Sequence, residues 1–236
     1  MHNSPILDGS DTSMSGDGSF VAGRGDVVLG GQGLPPVFLP PGPGDGCVKS
    51  GPFANMTVNL GPAQLSVPGN MTVVNPEGPL SYNPRCLKRS LTDEINRAFC
   101  NATAILDLLT STFNVYDFQM QMQGIPGTGN IGVHGGGHYA MGGDPGRDVF
   151  VSPGDPLFYL HHSMIDRVWW MWQMQDPATR AQGSSSVAGA NTFLNSPPSA
   201  NTTVQDYVDY GYAAGPPRRI EELLKTTEGP FCYTYL

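Results

Sequence analysis

Apolar positions recur at helical spacing most clearly in the second half of the chain. From Asp155 to Gln175, Phe158, His162, Ile165, Trp169 and Trp172 follow one another at steps of four and three. Leu157, Leu160, Met164, Val168 and Met171 fill the other sides. Asp155 is a good N-cap and Pro156 suits the first helical position. No further proline or glycine interrupts the segment before Asp176-Pro177, which ends it. The pattern predicts a long helix, and one apolar nearly all round is expected to be buried. Earlier, Thr92 can cap a helix carrying Ile95, Phe99 and Ala102. The pattern continues from Ile105 to Phe113, and Asp117 to Gln123 reads as a further turn or two. Met56–Leu60 and Met71–Val74 read as short surface strands or extended loop. Val204–Tyr210 reads as a short helix or strand, and Arg218–Lys225 as a short helix. The division expected is one partial domain over residues 1–236. Within it, 1–50 is extended loop, 88–175 a helical core, and 176–236 loop with a short C-terminal helix or strand.

Composition changes this picture in one respect. The 236 residues include 31 glycines and 22 prolines, and only 14% are charged, so the helices are set in a loop-rich chain. The net charge of −8 and the absence of any basic run argue against nucleic acid as a partner. No run of eighteen apolar residues is present, so no membrane span is expected. Residues 1–20 lack the apolar core of a signal peptide. Four N-glycosylation sequons begin at Asn55, Asn70, Asn101 and Asn201. With Cys47, Cys86, Cys100 and Cys232, which could form two disulfides in any of three pairings, they favour a secreted history.

The candidate chemistry lies in a histidine cluster. Of five histidines, His134, His138, His161 and His162 fall between Ile131 and Gln175, together with all three tryptophans. His134 and His138 are four apart, which on a helix puts both imidazoles on one face and suits a shared metal. Gly135, Gly136 and Gly137 lie between them, and each costs a helix roughly 1 kcal/mol against alanine. They therefore mark either a loop or a helix that something must approach closely. A third ligand from the long helix is expected, and periodicity does not choose between His161 and His162. Three neutral imidazoles suit copper or zinc equally on ligand type.

The pattern H-x3-H followed by D-P-x-F-x3-H-x3-D-R-x-W is carried here by His134, His138, Asp155, Pro156, Phe158, His162, Asp166, Arg167 and Trp169. It resembles the second copper motif, CuB, of the tyrosinase, catechol oxidase and molluscan haemocyanin superfamily. The stretch from Ser4 to Ser19 is similar to the segment following the first copper site in fungal members. Tyr233-Thr234-Tyr235 resembles the Y-x-Y motif that closes the catalytic domain. The resemblance implies a mainly α, loop-rich fold: a tyrosinase-like helical bundle, here only its CuB half, with short β pieces. It implies copper as cofactor, with O2 and phenols as partners, and oxidation of o-diphenols to o-quinones in the complete domain. It places the third ligand on His162 and makes His161 a packing neighbour. Gly135 and Tyr139 would flank the substrate entrance. Gly135 stands where many tyrosinases carry Asn, and no carboxylate lies between Asp117 and His134, which favours diphenols over monophenols. Asp166 and Arg167 are expected to make a structural ion pair or helix-anchoring bonds rather than to react.

Each copper in the superfamily needs three histidines, and beyond the cluster this chain has only His2. The expectation is therefore a fragment lacking the first copper motif, CuA, supplied by a missing N-terminal segment. The alternatives are a non-catalytic copper-binding relic, an O2 carrier and, least favoured, a zinc hydrolase.

Overall fold

A computed structural model describes residues 5–30 and 33–236. The chain falls into two compact units. The first comprises 1–104 and 123–164, and the second 105–122 and 165–236.

In the first unit the leading residues, expected as extended loop, form short antiparallel ribbons between loops. β1 (Gly18–Phe20) pairs with β4 (Asp45–Val48), and β2 (Val27–Leu29) with β3 (Val37–Leu39). β5 (Thr57–Leu60) pairs with β8 (Tyr82–Cys86), and β6 (Leu65–Val67) with β7 (Met71–Val73). The strands run only three to five residues in a stretch rich in glycine and proline, which fall within some strands, Gly46 in β4 and Pro84 in β8, as well as between them. Val27, Leu39, Ile95 and Ile131 form one buried cluster, and Val48, Val58 and Leu87 another. Cys47 and Cys86 are bridged, tying β4 to β8. Of the two disulfides allowed for, this is the one formed. Cys100 and Cys232 are free thiols.

Helix α1 (Asp93–Phe99) starts after Thr92 as predicted, and packs on α4 (Gly132–Met141). The glycine-rich segment is thus helical, and Gly135, Gly136 and Gly137 all keep ordinary negative φ. Two buried carboxylates hold the loops around the helices. Asp148 accepts from the amides of Ala63, Gln64, Phe150 and Val151. Asp155 accepts from the amide of Leu157 at 2.9 Å, capping α5 (Leu157–Gln173). It also takes the guanidinium of Arg89 at 2.7 and 2.9 Å, with both side chains fully buried. Arg89 donates as well to the carbonyls of Met14 and Gly16. One guanidinium therefore joins the leading loop to the start of the long helix.

Helix α2 (Ala102–Ser111) and α3 (Val115–Gln123) lead into the second unit. There Trp172 is wholly buried, donates its Nε1–H to the Thr112 carbonyl at 3.0 Å, and packs on Phe118. The Arg180 guanidinium, from α6 (Pro177–Arg180), lies 4.1 Å from the Trp172 ring centre. The remaining ribbon pairs β9 (Tyr207–Val208) with β10 (Arg218–Arg219), and the helix expected over Arg218–Lys225 is a 3-10 turn, Ile220–Leu223. Asp166 and Arg167 do not pair with each other. Asp166 accepts the hydroxyls of Tyr233 and Tyr235, and Arg167 donates to the Leu236 carbonyl at 2.7 Å. Both side chains bond to the C-terminal tail.

The expectation that α5 is buried all round is not met. Leu157, His161, Val168 and Trp172 form one buried stripe, while Tyr159 is 60% and Met171 39% exposed.

Candidate metal centre

The site lies within the first unit, on α4 and the first turns of α5. α4 presents His134 and His138 one turn apart, with ring centres 4.8 Å from each other. α5 brings His162 to both, with ring centres 5.1 Å away. The Nε2 atoms converge: His134 to His162 is 3.1 Å, and His138 to His134 is 3.2 Å.

Each ring is fixed through its other nitrogen. The Gly146 carbonyl lies 3.0 Å from His138 Nδ1, and the Phe158 carbonyl 2.8 Å from His162 Nδ1. The side-chain oxygen of Gln123 lies 2.7 Å from His134 Nδ1. A proton on each Nδ1 satisfies these acceptors and leaves the three Nε2 lone pairs free, with those of His138 and His162 beside that of His134. Metal–imidazole bonds of about 2.0–2.1 Å at tetrahedral angles would space three nitrogens roughly 3.3 Å apart. The observed spacings fit.

His161 is also close, since one ring nitrogen each from His134, His138 and His161 lie within 4.8 Å. Its Nε2, however, is spent on the His134 carbonyl at 2.9 Å, and its ring stacks 5.6 Å from that of His134. At 5% exposure it is a buried, satisfied core residue. His161 thus offers a nitrogen that is already bonded, whereas the Nε2 atoms of His138 and His162 each lie within 3.2 Å of His134 Nε2.

Burial sets the protonation. It lowers His134 to about 4 and His161 to about 3, and the neighbouring imidazoles push the same way. Burial also lowers His138, against the raising effect of the Gly146 carbonyl. These rings are neutral at pH 7, the form in which imidazole ligates a metal.

The glycines between the ligands provide clearance. A Cβ at Gly136 would lie 2.6 Å from Phe99 Cβ and 2.9 Å from Cys100 Sγ, where α1 crosses. A Cβ at Gly137 would lie 2.1–2.5 Å from three atoms of the His161 ring, too close for any side chain. At Gly135 the nearest atoms are 3.6 Å and 3.8 Å away, so a side chain fits. Phe158 stacks on His162 with centres 3.7 Å apart. Tyr139 packs against the Val27–Ile131 cluster, with its hydroxyl 3.1 Å from that of Ser66. His2 lies outside the described residues. Gln123 was missed from sequence, because nothing in a polar residue at a helix end signals a contact eleven positions on.

Residues 1–175 match the family described as the common central domain of tyrosinase. The chain is 37% identical over 233 residues to tyrosinase P of Aspergillus terreus, covering 98% of this chain and 63% of that protein. It is 33% identical over 245 residues to the N-acetyl-6-hydroxytryptophan oxidase ivoB of Emericella nidulans, covering 100% and 65%. Among solved structures, a polyphenol oxidase variant from Thermothelomyces thermophila superposes with a TM-score of 0.86 at 42% identity, over all of this chain and 62% of that one. The chain thus spans less than two thirds of the length of these proteins.

Proposed function

The chain belongs to the tyrosinase family, and from that premise we propose that it carries the CuB half of a type-3 copper oxidase. His134, His138 and His162 are the ligands, each through Nε2. The observation that carries this reading is the convergence of those atoms at 3.1 and 3.2 Å while every Nδ1 is held elsewhere. Copper, when bound, supplies the electron exchange with O2 and a phenol that no side chain here can supply.

The chain's own residues hold and shape the site. The Gly146 and Phe158 carbonyls fix His138 and His162, so the ligand rings need not reorganise on binding. Phe158 covers one face of His162 and excludes water from it. His161 fills the space over Gly137 and ties α5 to the His134 carbonyl. Asp166 and Arg167 fasten the tail and take no part in the chemistry.

In the complete protein, the reaction is oxidation of two o-diphenols by one O2 to two o-quinones and two waters. That protein includes a preceding segment with the three histidines of CuA, and it is secreted. The Cys47–Cys86 bridge supports an oxidising compartment. Gly135, at the position where many tyrosinases carry Asn, supports a preference for diphenols. Tyr139, next to the second ligand, stands with Gly135 at the substrate entrance.

The test is copper per folded chain after reconstitution. One copper is expected in the wild type and in His161→Ala, and none in His162→Ala. Equal loss in both variants would overturn the ligand assignment, and two coppers in the wild type would overturn the half-site. Diphenol-dependent O2 uptake is expected only with the preceding segment present; uptake by this chain alone would contradict the need for that segment.

A further inference from the structure

We propose that Gln123 is a positioning residue that holds His134 in the tautomer whose Nε2 lone pair faces the metal. The inference rests on the metal-site reading and names the one side chain on which it depends.

The three imidazoles are not anchored alike. His138 and His162 lean on backbone carbonyls, of Gly146 and Phe158, which can only accept. Their tautomer follows from the fold and no side-chain substitution removes it. His134 leans on an amide side chain at 2.7 Å. An amide can present either its oxygen or its NH2 group in nearly the same geometry. With the oxygen toward His134, the ring carries its proton on Nδ1 and offers Nε2 to a metal. With the NH2 group toward it, the proton moves to Nε2 and blocks ligation. One ligand of three is thus gated by a group that can be exchanged.

The backbone shows how Gln123 is held there. It is the last residue of α3 and is followed by Gly124 with φ +91°. A Cβ at Gly124 would lie 2.5 Å from the Ile131 carbonyl carbon and 2.6 Å from the Asn130 oxygen. Only glycine lets the end of α3 run this close to the start of α4. The Asn130 side chain then accepts from the Gly132 amide at 2.8 Å and sets the first turn of α4. The result lays Gln123 beside α4, with its carbonyl oxygen 3.8 Å from where a Cβ on Gly135 would stand.

Loss of a hydrogen-bond partner to a ligating histidine typically costs 10–100-fold in metal affinity. Gln123 is exposed to solvent, so water competes for the bond and the lower end applies. Glu at this position can only accept and should fix the same tautomer.

Two measurements on the full chain test this. Zinc affinity, read by competition with a chromophoric chelator, is expected to fall about tenfold in Gln123→Ala and to stay within about threefold of wild type in Gln123→Glu. Nitrogen-15 NMR of the metal-free chain is expected to show His134 protonated on Nδ1 in wild type and Gln123→Glu, and as a tautomer mixture in Gln123→Ala. A general packing defect would lower affinity without changing the tautomer, and Glu would not rescue it. Unchanged affinity and an unchanged His134 tautomer in Gln123→Ala would overturn the proposal. A wild-type chain that binds no metal would sink the metal-site reading instead, and the tautomer measurement would still decide the role of Gln123.

Discussion

Replacing the three glycines between the ligands one at a time by alanine should give three different results from the same chemical change. In a helix, each substitution carries a propensity gain of about 1 kcal/mol. The surroundings decide whether that gain survives. At Gly135 the new methyl meets Ile131 Cβ at 3.6 Å and the Gln123 oxygen at 3.8 Å, ordinary contacts, so Gly135→Ala should be stabilising. At Gly137 the methyl would lie 2.1 Å from His161 Cε1 and 2.5 Å from its Nε2, a hard clash with the ring. His161 would have to leave a buried position and give up its bond to the His134 carbonyl. Overpacking costs about 1–3 kcal/mol and an unmade buried hydrogen bond about 1–3 more. Less the helix gain, Gly137→Ala should lose roughly 1–5 kcal/mol, a fall in Tm of about 2–20 °C for a chain of this size. Gly136→Ala falls between, because Phe99 and Cys100 can yield by moving α1 slightly. Urea unfolding of the metal-free chain gives the stabilities, and copper per chain gives the consequence for the site. Copper should be retained in Gly135→Ala and lost in Gly137→Ala, where the displaced His161 ring disturbs His134. If Gly137→Ala matched the wild type, or if Gly135→Ala proved the more damaging, the packing of α4 against α5 described here would be refuted.

Other parts of the structure make their own demands. Arg89→Met should cost about 3–5 kcal/mol, because it strands the fully buried Asp155 carboxylate at the start of α5; a loss below 1 kcal/mol in urea unfolding would contradict the buried pair. His161 sits in the fold at about 3, lowered by burial from 6.5, so the unfolded chain takes up its proton first as pH falls. Stability of the metal-free chain should therefore be complete above about pH 6.5 and decline toward pH 3, by at most about 1.4 kcal/mol per pH unit for this group, and a flat profile from pH 7 to 4 would count against it. Burial pushes the Cys100 thiol up to about 12, whereas Cys232 is exposed. Ellman's reagent should find one fast thiol in the native chain and a second on unfolding, and two fast native thiols would contradict the packing of Cys100 on α4.

The long helix was fully legible in the sequence. Asp155, Pro156 and an uninterrupted run of apolar residues specify it through interactions that reach only three or four positions, and α5 follows. The start of α1 after Thr92 and the break before α4 were legible for the same reason. The H-x3-H spacing likewise placed two imidazoles on one face. What a local pattern could not supply was the partner of each group. The glycines read as a turn or as a close approach with equal force, and only the crossing of α1 and α5 over Gly136 and Gly137 makes them a helix cleared for neighbours. His161 and His162 share the same apolar surroundings in sequence, and family resemblance alone favoured one of them. The fold separates them by what each Nε2 faces, a carbonyl for His161 and the His134 imidazole for His162. Gln123 and the Arg89–Asp155 pair, separated by 66 residues, left no local trace. Short-range periodicity thus determined the elements and the candidate ligands. The tertiary structure decided which nitrogen is free, because hydrogen-bond partners distant in sequence meet only once the chain has folded.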